Sequence, residues 1–292
     1  MKKVIVIVGP TGVGKTKLSL ALAHLFNGEI INADSTQVYR ELDIATAKVE
    51  DKEGIPHHLI DIKNIDEDYT IYNFQQDGRK IIDKLLEEDK TPIVVGGSGL
   101  YIKALLYNYE LDLEVKNNYS IDINDPDLYN MLLKVDPSTL IHPNNRQRVY
   151  RALNYYYANG VPLSEKASSE EIVYDTLFIG LSTDRSQLYD IINQRVDHMI
   201  GNGLLIEAKN IYDRQIRSKA VMTPIGYKEL FPYFDGKISL EEATNKIKQN
   251  SRKYAKRQFT WFHNQMDVKW FDVNYHDFDK TIKDIISYIK KA

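Results

Sequence analysis

Gly9-Pro10-Thr11-Gly12-Val13-Gly14-Lys15-Thr16 has the spacing G-x-x-x-x-G-K-T. Glycines let such a loop curl around an anion, and its N–H groups point at phosphate oxygens. Lys15 would sit over the terminal phosphates, and the Thr16 hydroxyl would ligate Mg²⁺. The chain therefore binds a di- or triphosphate; the loop alone leaves open which one. Asp34 is the next candidate, with Ser35-Thr36-Gln37 behind it. A carboxylate near a diphosphate can bind Mg²⁺ or take a proton from a nucleophile. It can equally cap a turn, as Asp-Ser pairs do. Gly96-Gly97-Ser98-Gly99 either lets a ligand approach the backbone closely or makes a tight strand–helix turn. No aspartate follows Ile93-Val94-Val95. Many phosphate-loop NTPases carry an acidic metal residue at that place, so its absence counts against ATP hydrolysis and ordinary phosphoryl transfer.

Two basic segments could meet anions. Lys246, Lys248, Arg252, Lys253, Lys256 and Arg257 occur with no acid between Glu242 and Asp267. At 100° per residue they cover about half of a helix. Ile247, Tyr254, Ala255, Trp261 and Phe262 cover the other side. Crowded like charges without acids on the same helix cost repulsion unless an anionic partner is present. In Arg146-Gln147-Arg148-Val149-Tyr150-Arg151, Arg148 and Arg151 share a helix face, with Val149, Leu153 and Tyr156 as packing side. Gln and Arg can hydrogen-bond bases and phosphates; a merely solvated face is the alternative for both segments. His57-His58 points to opposite sides of a strand with no further ligand nearby, which favours a structural role over a metal site.

The elements that must hold these residues alternate. Lys2–Val8, Glu29–Asp34, His57–Ile62 and Pro92–Gly97 read as strands, and Lys17–Phe26 and Asn73–Glu88 as helices. This implies an α/β fold: a phosphate-loop parallel sheet with helices on both faces. Ligands collect at the carboxyl ends of such strands, so Asp34, Ser98 and the phosphate loop should converge. From about 109 to 172 no buried strand is expected, and residues 110–127 are acidic. Pro143-Asn144 signals a helix start and Gly160 a stop. The β signal returns at Thr176–Leu181 and again at Val268–Val273. The expected organisation is a core of 1–108 and 173–292 around a helical insertion at 109–172.

The chain has 292 residues, formal net charge −3 and no cysteine. Disulfides, thiolate metal sites and a cysteine nucleophile are excluded. No global basic field draws in nucleic acid, so any such site is a local patch. The first residues read as a core strand rather than a secretion signal, and no apolar run approaches membrane-spanning length. A cytoplasmic enzyme without membrane contact, acting as a monomer, is expected.

Taken in order, Gly9–Thr16, Asp34–Arg40, Pro56–Asp61, Gly96–Tyr101, Gln147–Arg151, Ile225-Gly226-Tyr227-Lys228-Glu229 and Arg257–Trp261 resemble the bacterial tRNA dimethylallyltransferase family, also called isopentenylpyrophosphate:tRNA transferases. The resemblance runs from about residue 3 to 271. It implies that Gly9, Pro10, Thr11, Gly12, Val13, Gly14, Lys15 and Thr16 bind dimethylallyl diphosphate. It implies prenylation of N6 of adenosine 37 beside the tRNA anticodon, with the adenine flipped into the core and the insertion gripping the anticodon loop. Asp34 would be the base, with Lys15 and Thr16-bound Mg²⁺ on the leaving group. Asp34, Ser35, Thr36, Gln37, Ser98, Gln147, Arg148, Val149, Tyr150 and Arg151 would contact tRNA, and Arg252, Lys256 and Arg257 its backbone. Other readings of the same loop are an adenylate isopentenyltransferase, a small-molecule kinase, or a non-enzymatic RNA-binding module. The kinase needs no basic helix; the RNA-binding module leaves Lys15, Thr16 and Asp34 without a task.

Overall fold

A computed structural model describes residues 3–108, 121–165 and 171–292. Six parallel strands form one sheet in the order β3-β2-β4-β1-β5-β6. They are β1 Val4–Val8, β2 Gly28–Asn32, β3 His57–His58, β4 Thr91–Val95, β5 Thr176–Ser182 and β6 Lys269–Asp272. The β-branched run of β1 is buried on both faces, which suits the sheet centre. Ile5 sits beside Ile93 of β4 and Leu177 of β5. Strands β2, β3 and β4 lie to one side of β1, and β5 and β6 to the other. The order thus reverses around β1, and the crevice at its carboxyl end is where ligands bind in such sheets.

Helix α1, Lys15–Leu25, starts directly at the phosphate loop, with Gly14 at φ 95° as its first cap. Its Leu18 and Leu22 pack on Ile5, Ile7, Ile179 and Leu181, together with Ile282, Ile285 and Ile289 of α11 (Phe278–Ile289). On the other side Val4, Val6, Val8 and Val94 are equally buried. Helices α2 (Ile71–Glu87) and α3 (Gly99–Leu106) pack together, and α2 also meets β2 and β4. The strand expected over His57–Ile62 is only two residues long. Leu59 and Asp61 adopt φ 61° and 57°, which no extended strand tolerates.

The chain divides into two units, Met1–Leu106 with Ile172–Ala292, and Tyr107–Glu171. In the second, α4 (Leu128–Val135) and α5 (Arg146–Asn159) share a core of Leu128, Leu132, Val149, Ala152 and Leu153. Asn145, one residue beyond the expected start, caps α5 by accepting from Arg148 N–H; Gly160 at φ 73° ends it. Residues 110–120 of the acidic stretch lie outside the described residues. The first unit continues through α6 (Arg185–Met199), a π-helical turn at Ile200–Leu204, α7 (Leu205–Asp213), α8 (Lys219–Met222), α9 (Tyr227–Phe234) and α10 (Leu240–Gln265).

Candidate functional site

A cavity of about 350 Å³ opens at the carboxyl ends of β1, β2 and β4. Thr11, Gly12, Gly14, Lys15, Thr16, Asp34 and Gln37 line it, as do Gly96, Gly97 and Arg195. The phosphate loop and Asp34 therefore converge, as strand-end positions require. Ser98 is outside the lining; its Oγ accepts from Ser35 N–H at 3.3 Å and joins the two strand-end turns.

Lys15 does not project freely. Its Nζ donates to the carbonyls of Gly9 (3.0 Å) and Pro10 (2.8 Å) in its own loop. Burial, and then the charge of Arg195, bring its pKa down to about 7, against the opposing pull of Asp34. The charge of an arriving anion would oppose both effects and favour the protonated lysine. Thr16 is exposed at the cavity, where its hydroxyl can reach a ligand. Val13 is fully buried, so it can serve a phosphate only through its backbone.

Arg195 is a site residue that the sequence reading missed. It lies on α6, and its Nη1 donates to Thr11 Oγ1 at 3.0 Å. Burial pushes its guanidinium below the usual range, and Asp34 pulls the other way. The available signal was position. Arg195 follows Ile191 by one helical turn, beside the buried stripe Leu188, Ile192 and Val196. A cation on that row faces the interior unless its stem snorkels out.

Asp34 both caps a turn and faces the cavity. Its Oδ1 accepts from Thr36 N–H (3.0 Å) and the Thr36 hydroxyl (2.7 Å). Its Oδ2 has no hydrogen-bond partner among the described residues. Asn32 fixes this turn: Oδ1 accepts from Asp34 N–H, and Nδ2 donates to the carbonyls of Asp34 and Leu59. Asn32 is buried and was also missed. Buried amides with every group bonded orient what they touch.

The glycines after β4 make room for the protein itself rather than for a ligand. A Cβ on Gly96 would fall 2.3 Å from the Ala33 carbonyl oxygen. One on Gly97 would lie 1.9 Å from Gln258 Nε2, and one on Gly99 would lie 2.0 Å from Trp261. Gln258 fills the gap: Nε2 donates to Gly97 O (3.1 Å) and Oε1 accepts from Thr11 N–H (3.0 Å). Helix α10 thereby braces the phosphate loop.

The basic face of α10 is partly compensated from a neighbouring helix. Lys248 pairs with Asp197 of α6 at 2.6 Å, and Arg252 donates to Asn193 Oδ1 at 2.5 Å. The expected uncompensated repulsion is thus reduced, because α6 supplies the acid that α10 lacks after Glu242. Lys246, Lys253, Lys256 and Arg257 stay exposed, with no ion pair among the described residues. In the second unit Gln147, Arg148 and Arg151 are exposed on α5, and Tyr150 is half-buried. Val149 is fully buried in that unit's core, so its expected RNA contact is replaced by a packing role. Arg146 clamps the preceding loop by donating to the carbonyls of Ile123 and Asp125.

Among the described residues no group of three or more His, Asp or Glu side chains is placed to hold a metal. His57 Nδ1–H donates to Ile55 O at 2.8 Å, and His58 bonds Glu29 at 2.7 Å, both structural uses. The donor set at the cavity, Thr16 and Asp34, suits Mg²⁺ in its common mode of one or two protein ligands completed by phosphate and water.

A family model described as "IPP transferase" matches residues 37–265. The tRNA dimethylallyltransferase of Anoxybacillus flavithermus is 47% identical, over 99% of this chain and 96% of its own. The crystal structure of tRNA delta(2)-isopentenylpyrophosphate transferase from Staphylococcus epidermidis is 43% identical. That match covers 99% of this chain and 98% of the other, at a TM-score of 0.75. A eukaryotic dimethylallyltransferase captured acting on tRNA is similar at 34% identity and a TM-score of 0.81, over 93% of this chain and 74% of the other.

Proposed function

The chain belongs to the IPP transferase family, and on that premise we propose that it moves a dimethylallyl group from dimethylallyl diphosphate to N6 of adenosine 37 in tRNA. It is a tRNA-modifying transferase. The observation that carries the finer reading is one cavity holding both a diphosphate cradle and a carboxyl oxygen left open, Asp34 Oδ2.

In this reading the adenine leaves its stack, because a buried group cannot reach it otherwise. N6 attacks C1 of the dimethylallyl group. The N6–C1 bond forms, the C1–O bond breaks, and Asp34 takes the N6 proton. Diphosphate departs with the bonding electron pair. Lys15, Arg195 and the N–H groups of residues 12–16 would stabilise its charge. The Thr16 hydroxyl would hold Mg²⁺, which would supply further positive charge at the leaving group. Gln258 keeps the loop in shape, and Asn32 keeps Asp34 in place. Ser35, Thr36, Gln37, Gln147, Arg148, Tyr150 and Arg151 would hold the anticodon loop. Lys256 and Arg257, with Arg252 behind them, would hold its phosphates.

We place this activity in the cytoplasm and assign it to a monomer. Among the described residues no helix is long and apolar enough to cross a membrane. Labelled dimethylallyl diphosphate, offered with unmodified tRNA, with AMP or with ATP alone, tests the reading. Label in tRNA at adenosine 37 supports it. Label confined to AMP, or ATP consumed without label transfer, overturns it.

A further inference from the structure

Glu207 lies on α7, outside the cavity lining and with no role assigned above, yet its carboxylate accepts four hydrogen bonds among the described residues. Its Oε2 accepts from the N–H groups of Asp43 (3.0 Å) and Ile44 (2.8 Å), and its Oε1 from Ala45 N–H (3.2 Å). Oε1 also accepts from the Tyr227 hydroxyl at 2.7 Å. Tyr227 is fully buried, and Gly226 before it sits at φ 136° against Ala45. A Cβ on Gly226 would come within 3.1 Å of the Ala45 Cβ. The segment Gly226–Glu229 thus packs against the loop that Glu207 holds. Gly226 N–H donates to Glu229 Oε2, and Asn250 of α10 donates to Glu229 Oε1, each at 2.8 Å.

Four donors around one side chain suit a carboxylate and not an amide. A carboxylate is acceptor-only, whereas an amide places an NH₂ where one acceptor is needed. The loop being held ends in Thr46 and Ala47, which line the cavity. Their carbonyls both accept from Gln37 Nε2, at 2.9 and 3.4 Å. Two carbonyls around that nitrogen settle the amide's orientation. Gln37 Oε1, which has no hydrogen-bond partner among the described residues, is the group left to meet a ligand.

We propose that Glu207 is a positioning residue for the transfer reaction: it fixes loop 43–47 so that Gln37 presents its amide oxygen, an acceptor only, to the bound acceptor base. The proposal rests on the tRNA-prenylation reading. An acceptor at that place favours a base edge carrying an amino group, and disfavours one carrying a carbonyl.

Three measurements on the full chain test this. Hydrogen exchange at the amides of residues 43–45 should speed up roughly tenfold in Glu207→Gln, while exchange in β1 and β4 stays unchanged. Prenyl transfer to tRNA by Glu207→Gln should fall about tenfold or more in kcat/KM for tRNA. Adding Gln37→Ala to Glu207→Gln should then cost less than about twofold more, although Gln37→Ala alone costs far more than that. Tyr227→Phe removes one donor and keeps the carboxylate, and should move each readout the same way by less; it serves if Glu207→Gln does not fold. Unchanged exchange at 43–45, an unchanged kcat/KM, or additive losses from Glu207 and Gln37 would each overturn the proposal. A wild-type chain that does not prenylate tRNA would instead sink the underlying reading, and the exchange result would stand apart from it.

Discussion

At the scale of single residues the cavity pairs an anion cradle with a carboxyl group, and each half makes its own prediction. Asp34 spends Oδ1 on Thr36 and keeps Oδ2 for the ligand. Asp34→Asn preserves the turn and removes the proposed base. Single-turnover transfer should fall about 10²- to 10⁴-fold, the usual worth of a positioned base. Binding of tRNA, followed by filter retention, should change little. Wild-type transfer rates in the variant would show that another group takes the proton. Lys15 makes a second prediction. Burial and the charge of Arg195 bring its pKa down to about 7, and a bound diphosphate would raise it. Binding above about pH 7 is therefore coupled to uptake of a proton by Lys15, and affinity should fall as pH rises. The slope approaches tenfold per pH unit while the free lysine is neutral and the bound one charged. Calorimetry with inorganic diphosphate between about pH 6 and pH 8.5 measures it, with Lys15→Met subtracting the ligand's own titration. Equal slopes in the two proteins would remove Lys15 from the linkage.

At the scale of elements, α10 matters because it crosses behind the phosphate loop and fills the space that Gly97 and Gly99 leave. Gly97→Ala would push a methyl into Gln258, whose amide ties Gly97 to Thr11. The expected cost is about 1–3 kcal/mol of stability by urea unfolding, the range for overpacking. KM for the diphosphate substrate should rise with it. Because the clash and the lost bonds are one event, Gly97→Ala and Gln258→Ala together should cost less than their sum. This contact also shows what could be read before the fold was known. Buried strands were legible as β-branched runs, and α1 and α2 as apolar rows at helical spacing, because those patterns are local. His57–Ile62 misled because its composition suits a strand, while left-handed turns at Leu59 and Asp61 end the strand after two residues. Gly97 reads as room for a ligand or a tight turn; the group that fills the room, Gln258, lies 161 positions away. Arg195 and Asn32 escaped for the same reason. Their importance comes from the loop and turn they meet; the row of Arg195 beside the buried stripe of α6 announces only that it faces inward, not what it meets.

At the scale of the whole molecule, a chain of net charge −3 must hold a polyanion with local patches. Pairing Lys248 with Asp197 leaves Lys246, Lys253, Lys256 and Arg257 as the exposed cations of α10. Each phosphate they neutralise adds slightly under one unit to the slope of log affinity against log salt. Replacing Lys256 and Arg257 with Gln should flatten that slope by somewhat less than two and leave diphosphate binding intact. The division of the chain allows a stricter separation of the two ligands. All six strands and every residue lining the cavity belong to the first unit, and Val173 N–H donates to Leu106 O at 2.9 Å across the cut. A short Gly-Ser linker in place of 107–171 therefore joins hydrogen-bonded neighbours and leaves the sheet complete. The shortened chain should unfold cooperatively and bind inorganic diphosphate as the full chain does. It should lose tRNA affinity, by about tenfold for each 1.4 kcal/mol that Gln147, Arg148 and Arg151 supply. Undiminished tRNA binding by the shortened chain would move the RNA grip entirely to α10 and the cavity rim, and would leave the exposed face of α5 without a task.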